Sequence, residues 1–579
     1  MVVRNIRYTH IIVLIFVLCP IAALPFLQPT GVMSRTATDL YGIALLLFIG
    51  IVFFLPSKEI NINAADILFG CFLMIGCIKP TGLQFDVFLC VKNMSLMIGY
   101  IAFRMFPDRA VAGLFLLLVV GCLIQSVYGF AQYMEFAESL HPMFRLTGSF
   151  LNPAHLAFFL SMGTTITAAM LLLPEQYFGH FPFGTKWLFQ VFALVATIWL
   201  AFVLAITESR AAWVGTILAV ALLVYMRYIR SNNRWRLPKY LRAAVVAMAL
   251  CIFCVSGYVM YHYKKDSADG RLLIWKITCK MIENRPITGN GAGAFRSDYL
   301  YAQAAYFAEH PDAPERMLAG NTFRPFNEYL RILYEHGLVG LLLITLSVYL
   351  AIRSSDSPVL KAVLTSIATI CIFSYPLEIW CIKVYWLVAL ALAAKNLRPL
   401  RTVRCNFRIQ SVYAVFWCAT VMMTLFYADH TRGCIQAVQE NSEDKEEIFA
   451  ASYSVLHSNH EYLAMYARFL RREGNIETAL KQMEALARLQ PSSSLFCNIG
   501  NLHFKERRYA EAERCYLLAR NMTPAAFAPL QQLMTLYMET GQKDKVRTVA
   551  EIIVEQPVKV KTNVTDRIKK EANEFLSNF

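Results

Sequence analysis

Charge is scarce in this chain. Asp, Glu, Lys and Arg make up 16% of its 579 residues, against 57% hydrophobic ones. Soluble domains carry about 25% charged residues, so one water-soluble core is excluded for most of the length. Acidic residues are scarcer still, 40 against 55 basic, for a net +15. That balance would suit nucleic acid if the basic residues shared one face, but they do not. "MRYIRSNNRWRLPKYLR" (226–242) and "KNLRPLRTVRCNFR" (395–408) sit directly between apolar runs, as cytoplasmic loops do. No pair of CxxC motifs at zinc spacing appears, and the 15 cysteines lie mostly inside apolar spans, where the thiol packs as a small apolar group. Neither metal nor a redox cofactor is expected. Gly289, Gly291 and Gly293 have no strand before them and no Rossmann unit around them, so they predict a flexible or tight loop rather than a nucleotide site.

What is abundant is apolar sequence. Runs of about 17–25 such residues, enough to cross roughly 30 Å of hydrocarbon as helices, recur to about residue 427. They predict an all-α, polytopic membrane bundle of about thirteen spans. The spans are 9–27, 41–55, 65–79, 86–103, 111–134, 154–173, 187–206, 211–228, 243–261, 328–352, 358–374, 377–394 and 411–427. The first follows Arg4 and Arg7 as a signal peptide would, but many spans succeed it without a convincing cleavage site, and it is read as retained. Four crossings separate the two basic loops, which returns the chain to the same side. With that side inside, residues 135–153, 207–211, 262–327, 375–376 and everything after 427 lie outside.

Hydropathy collapses after residue 428, and "QENSEDKEE" (439–447) opens a soluble region. The chain therefore divides into a membrane domain, 1–428, with a long external loop at about 262–327, and a second domain, 429–579. Pro491, Pro524 and Pro557 recur about 33 residues apart, and Ala479, Ala512 and Val546 keep nearly that period. Such a unit resembles the tetratricopeptide repeat: the small residues let paired helices approach, and the prolines end each unit. Three repeats, with an irregular fourth from about 445, suffice for a continuous core. A protein partner would suit their groove; an inert stabilising cap is the plainer alternative.

Three charged clusters fall on the external side. In "ITESRAAW" (206–213), Arg210 lies at a span boundary, where an arginine costs about 2.5–3.5 kcal/mol without a partner or polar cavity; it could pair with Glu208 or snorkel to the interface instead. In the loop, Ile274, Ile277 and Met281 recur at helical spacing while Arg271, Lys276 and Lys280 supply positive charge, predicting an amphipathic helix along the membrane surface, suited to a diphosphate. The third cluster, Arg324, Asn327, Glu328 and Arg331, opens an otherwise apolar span. Pro325 fits a helix's first turn, whose free N–H groups attract anions. Glu328 is either a local partner of Arg331 or a general base.

"ESRAAW", "GRLLIWK" with "NRPITGNGAGAF", and "FNEYLRILYEHGLVG", in this order, together with "RLTGSFLNPAHLA" (145–157), resemble the O-antigen ligase/polymerase superfamily, which includes bacterial protein O-oligosaccharyltransferases. The resemblance covers roughly residues 140–400. It implies a GT-C-like fold and transfer of a glycan from a polyprenyl diphosphate carrier to an acceptor at the periplasmic face of the inner membrane, without nucleotide sugar or metal. It further implies that Arg210 and Arg271 hold the diphosphate and stabilise charge on the leaving group, with Lys276, Arg324, Asn327, Arg331, Arg145 and Asn152 as further substrate contacts. The acceptor would be lipid A–core sugar, a protein hydroxyl, or another carrier-bound glycan. One departure stands out: Phe326 occupies the place of a histidine common in the family's ligases. Either a neighbour activates the acceptor, with Glu328 preferred over His310 and His336, or the chain relies on leaving-group activation and positioning. Rival readings are a transporter, since intramembrane charge also marks substrate pathways, and a membrane-tethered scaffold for the repeats.

Overall fold

The computed structural model describes residues 20–27, 31–54, 59–77, 86–106, 108–175, 183–230, 265–440, 444–559 and 561–577. The expected spans 9–27, for the most part, and 243–261 lie outside these. By its contacts the chain forms two units, one of residues 1–256, 326–329 and 338–429, the other of 257–325, 330–337 and 430–579.

The first unit is a helix bundle. Its helices are α1 (Ser34–Gly50), α2 (Ala64–Ile75), α3 (Val87–Met105), α4 (Asp108–Tyr133), α5 (Pro153–Leu172), α6 (Phe183–Ile206) and α7 (Arg210–Val224). Later come most of α10 (Glu328–Ser354), α11 (Pro358–Phe373), α12 (Trp380–Ala393) and the start of α13 (Phe407–Gln439). Each expected span within the described residues is helical, and eight of the helices are long and apolar enough to cross a membrane. Ala64–Ile75 and Pro358–Phe373 are apolar but shorter.

Helix α5 is central: 83% of its apolar stretch is buried, against 17% for Phe407–Gln439. Among apolar chains there is little hydrophobic drive to associate, so small residues and interhelical hydrogen bonds decide the packing. Thr216 of α7 donates to Ser161 of α5 at 2.7 Å, and Ser161 lies 2.9 Å from Ser366 of α11, a hydroxyl chain joining three helices. At one end, β1 (Glu59–Ile62) pairs antiparallel with β2 (Arg401–Arg404), Glu59 opposite Arg404, which places those two loops on the same face. Beside β1, Asn63 and Asp66 form a reciprocal capping box at the start of α2, and Asp66 also accepts from Tyr100 at 2.7 Å and pairs with Arg104 at 3.0 Å.

The second unit joins the loop helices α8 (Lys265–Ile282) and α9 (Ala294–Glu309) to a helical solenoid. After α14 (Lys445–Leu456) come the pairs α15 (His460–Arg472) with α16 (Ile476–Leu489), α17 (Ser493–Lys505) with α18 (Tyr509–Met522), and α19 (Phe527–Glu539) with α20 (Lys543–Glu555). Helix α21 (Asn563–Ser577) closes the stack. The periodic Ala479, Ala512 and Val546 are all buried in the second helix of their pair, as close helix packing requires.

One expectation fails. The apolar stripe of α8 is not laid against lipid: Ile277 and Met281 enter, beside Leu273, a protein core with Phe295 and Tyr299 of α9 and Met522 of the solenoid, and Ile274 packs against that core. Amphipathic spacing says that one face must be covered, not what covers it.

Candidate functional site

In the first unit, α6 ends at Ile206 and α7 begins at Arg210. The reversal between them is tight. Glu208 adopts φ 54°, a left-handed conformation uncommon for a residue with a side chain, and the indole of Trp213 donates to the carbonyl of Leu204 at 2.9 Å, tying the end of α6 to the first turn of α7. This fixes Arg210, half-buried, in the first helical turn. A cation there opposes the helix dipole, whose positive end lies at the N-terminus. An anion at that point would be attracted by both the guanidinium and the free N–H groups.

Phe326 is likewise left-handed, at φ 52°. Helix α10 therefore begins at Glu328, and Pro325 precedes it instead of occupying its first turn, which corrects the sequence expectation. The Phe326 ring meets Tyr375 edge to face at 5.4 Å, and His155 meets the same tyrosine at 5.8 Å. Asn327 is half-buried, while Glu328 is only 2% exposed. Burying a carboxylate is costly unless neighbouring groups compensate it. Asn152 accepts from the backbone of Ala154 at 2.8 Å and so caps α5. Arg145 has a side chain 77% exposed and stands 3.8 Å from Glu135.

A half-buried charged layer in this unit is not foreseen from the sequence. Asp39 of α1 pairs with Lys92 of α3 at 3.2 Å and accepts from the Trp380 indole at 2.5 Å, and Lys383 lies over the Trp380 ring at 4.4 Å. Arg35 pairs with Glu378 at 3.3 Å. Ionisable groups inside apolar helices face one another or a polar cavity. The signal was present as isolated charges, Asp39, Lys92 and Lys383, in three otherwise apolar runs, but their partners are distant in sequence.

In the second unit, Arg271 is half-buried on α8. Lys276 is exposed and held locally, donating to the Tyr306 hydroxyl at 2.8 Å and facing Glu315 at 3.5 Å; the tyrosine hydrogen bond, then the carboxylate, raise its pKa. Arg324 sits in a turn closed by Thr322, whose hydroxyl donates to the Arg324 carbonyl at 2.9 Å. Arg331 pairs with Glu335 at 3.1 Å, one helical turn on.

The glycines of the loop have a definite task. Helix α10 is broken at Gly337 (φ 65°, ψ −171°), which strands the carbonyls of Tyr334 and Glu335. Asn290 N–H donates to Tyr334 at 2.9 Å and Gly291 N–H to Glu335 at 2.7 Å, closing the break from the loop. Two backbones touch here. A Cβ on Gly337 would lie 2.0 Å from the Ile287 carbonyl oxygen, and one on Gly289 2.5 Å from that of Glu335.

Arg210, Asn327, Glu328, Arg145 and Asn152 thus belong to the first unit, and Arg271, Lys276, Arg324 and Arg331 to the second. The chemistry on offer is fixed guanidinium charge together with a buried carboxylate. Guanidinium groups suit an anionic substrate, and a carboxylate can accept a proton.

No curated protein matches the chain. Among solved structures, a chain of the APC/C hetero-tetramer Cut9–Hcn1 is 11% identical, with 93% of this chain and 87% of that one covered and a TM-score of 0.21, a likeness too slight to carry an argument. A family model described as O-antigen ligase matches residues 195–345. That segment holds Arg210 with its tight reversal, Arg271, the glycine joint and Glu328, and over it the chain is similar to the O-antigen ligase family.

Proposed function

We propose that the protein transfers a glycan from a polyprenyl diphosphate carrier to an acceptor hydroxyl at the periplasmic face of the bacterial inner membrane, with the repeat domain on that side. The observation that carries this reading is that one family match spans Arg210, Arg271 and the buried Glu328. In the reaction the acceptor oxygen attacks the anomeric carbon, the bond from that carbon to the diphosphate oxygen breaks, and the configuration inverts. Arg210 and Arg271 hold the diphosphate and stabilise the charge it gains as it leaves, which bidentate, permanently charged guanidinium groups do well. Arg324, Arg331, Lys276, Asn327, Arg145 and Asn152 are proposed contacts to the rest of the donor.

The proton of the acceptor must go somewhere, and Phe326 cannot take it. Glu328, two residues on, is the proposed base. Glu328→Gln should slow the single-turnover rate about a hundredfold, within the range of general-base contributions, while donor binding persists. An unchanged rate would make Glu328 a structural group.

Reconstitution in liposomes with a labelled polyprenyl-diphosphate glycan and competing acceptors, followed by mass spectrometry, tests the whole reading. Product on lipid A–core sugar identifies a ligase, product on serine or threonine a protein O-oligosaccharyltransferase, and lengthened carrier-bound glycan a polymerase. Donor left intact with every acceptor overturns the proposal.

A further inference from the structure

The proposed chemistry needs no solenoid, yet within the second unit the solenoid and the loop complete one another. Helix ends leave backbone groups without partners inside the helix. Three such ends in the repeats are closed by loop side chains. The Gln303 amide donates to the carbonyl of Met522, the last residue of α18, at 2.5 Å, and to that of Gly320 at 3.2 Å. The Tyr301 hydroxyl donates to the carbonyl of Ala487 in the last turn of α16 at 3.2 Å, and its ring meets Phe496 at 6.0 Å. At the start of α17, the Ser493 N–H donates to Asn321 at 3.2 Å.

These contacts are built into the interior. Gln303 is 1% exposed, its amide oxygen accepts from Tyr299 at 2.9 Å, and Met522 is wholly buried in the core that holds Leu273 and Ile277 of α8. An orphaned carbonyl at that depth would cost about 1–3 kcal/mol, so the ends of α16 and α18 are adapted to this loop. From α9 the chain of contacts continues. Tyr334 donates to Asp298 at 2.7 Å and packs edge-on against Phe295 at 6.2 Å, beside the glycine joint that closes residues 334–337.

We propose that the repeat solenoid is a positioning element of the transfer site. By capping against α9 and residues 320–321, it fixes the helix that carries Arg271 and the turn that carries Arg331. This rests on the transfer reading above. The solenoid is then part of the enzyme's framework, and a freely tethered adaptor role for it is excluded.

The test uses the full chain with Gln303→Leu and Asn321→Ala combined, and Tyr301→Phe as the milder variant should the first fail to fold. Hydrogen exchange and steady-state transfer are measured together. In the double variant, amides of 285–293 and 330–337 should exchange faster while those of 527–577 stay protected, and kcat at saturating donor should fall about tenfold or more, as misplaced groups cause. Tyr301→Phe should show the same pattern at a few-fold. Faster exchange with kcat unchanged overturns the proposal, and so does unchanged exchange at 285–337. Should the parent protein transfer no glycan, the transfer reading falls, and the exchange result alone decides whether the repeats hold the loop.

Discussion

Arg271→Ala should lower transfer about a thousandfold, the upper range for losing one preorganised donor to a developing anion. That corresponds to about 4 kcal/mol of transition-state stabilisation. Arg210→Ala should do the same. The magnitude follows from the leaving group: expelling a diphosphate concentrates negative charge on one oxygen, and a guanidinium fixed nearby needs no reorganisation to meet it. Arg210 is fixed by the reversal that ends in Trp213, and Arg271 by the burial of Leu273 and Ile277 in the turns that follow it. In the proposed reaction both groups act on one ligand, and such effects are not additive, so the double variant is expected to be little worse than either single one. The measurement is initial rate in proteoliposomes against donor concentration, with trypsin resistance as the check on folding. Parental rates in either single variant remove that arginine from the mechanism, and losses that multiply in the double variant assign the two to separate tasks.

Some of this is legible in the amino-acid sequence alone, for identifiable reasons. A span declares itself because each residue of a long apolar run contributes to the same free energy of burial, and the repeats declare themselves because Ala479, Ala512 and Val546 face the same packing constraint at a fixed period. Arg210, Arg271 and Glu328 stood out because charge near apolar sequence is costly. What stayed hidden depends on partners far along the chain. Asp39 looks unremarkable until Lys92 and Trp380 are brought to it, and the α8 stripe reads as membrane-facing until Phe295 and Met522 cover it. The mistaken helix start at Pro325 has a local cause: φ 52° at Phe326 is a conformation that no propensity for phenylalanine would suggest. His155 was in plain view in "NPAHLA", but only Tyr375 brings it to the same ring as Phe326.

Gly337→Ala should abolish transfer and loosen the loop at the same time. Two penalties coincide at this position. Its φ of 65° with ψ of −171° lies in a region that essentially only glycine occupies, costing about 1–3 kcal/mol for any other residue. In addition a methyl group would stand 2.0 Å from the Ile287 oxygen and 2.3 Å from its carbon, both backbone atoms, so no side-chain rotation can relieve it. The two strands of backbone must part, which breaks the bonds from Asn290 and Gly291 to the stranded carbonyls of Tyr334 and Glu335. The Arg331–Glu335 turn then loses its closure. Gly289→Ala meets the same joint from the other side, at 2.5 Å from the Glu335 oxygen, and should reproduce the loss. Both variants should keep the solenoid folded, because its pairs α17–α18 and α19–α20 bury their own core around Leu530, Leu533 and Ala550. Protease cleavage within 283–293, absent from the parent and fast in the variants, is the expected signature beside the lost activity. A Gly337→Ala protein that transfers at the parental rate would show that the joint does not govern the site.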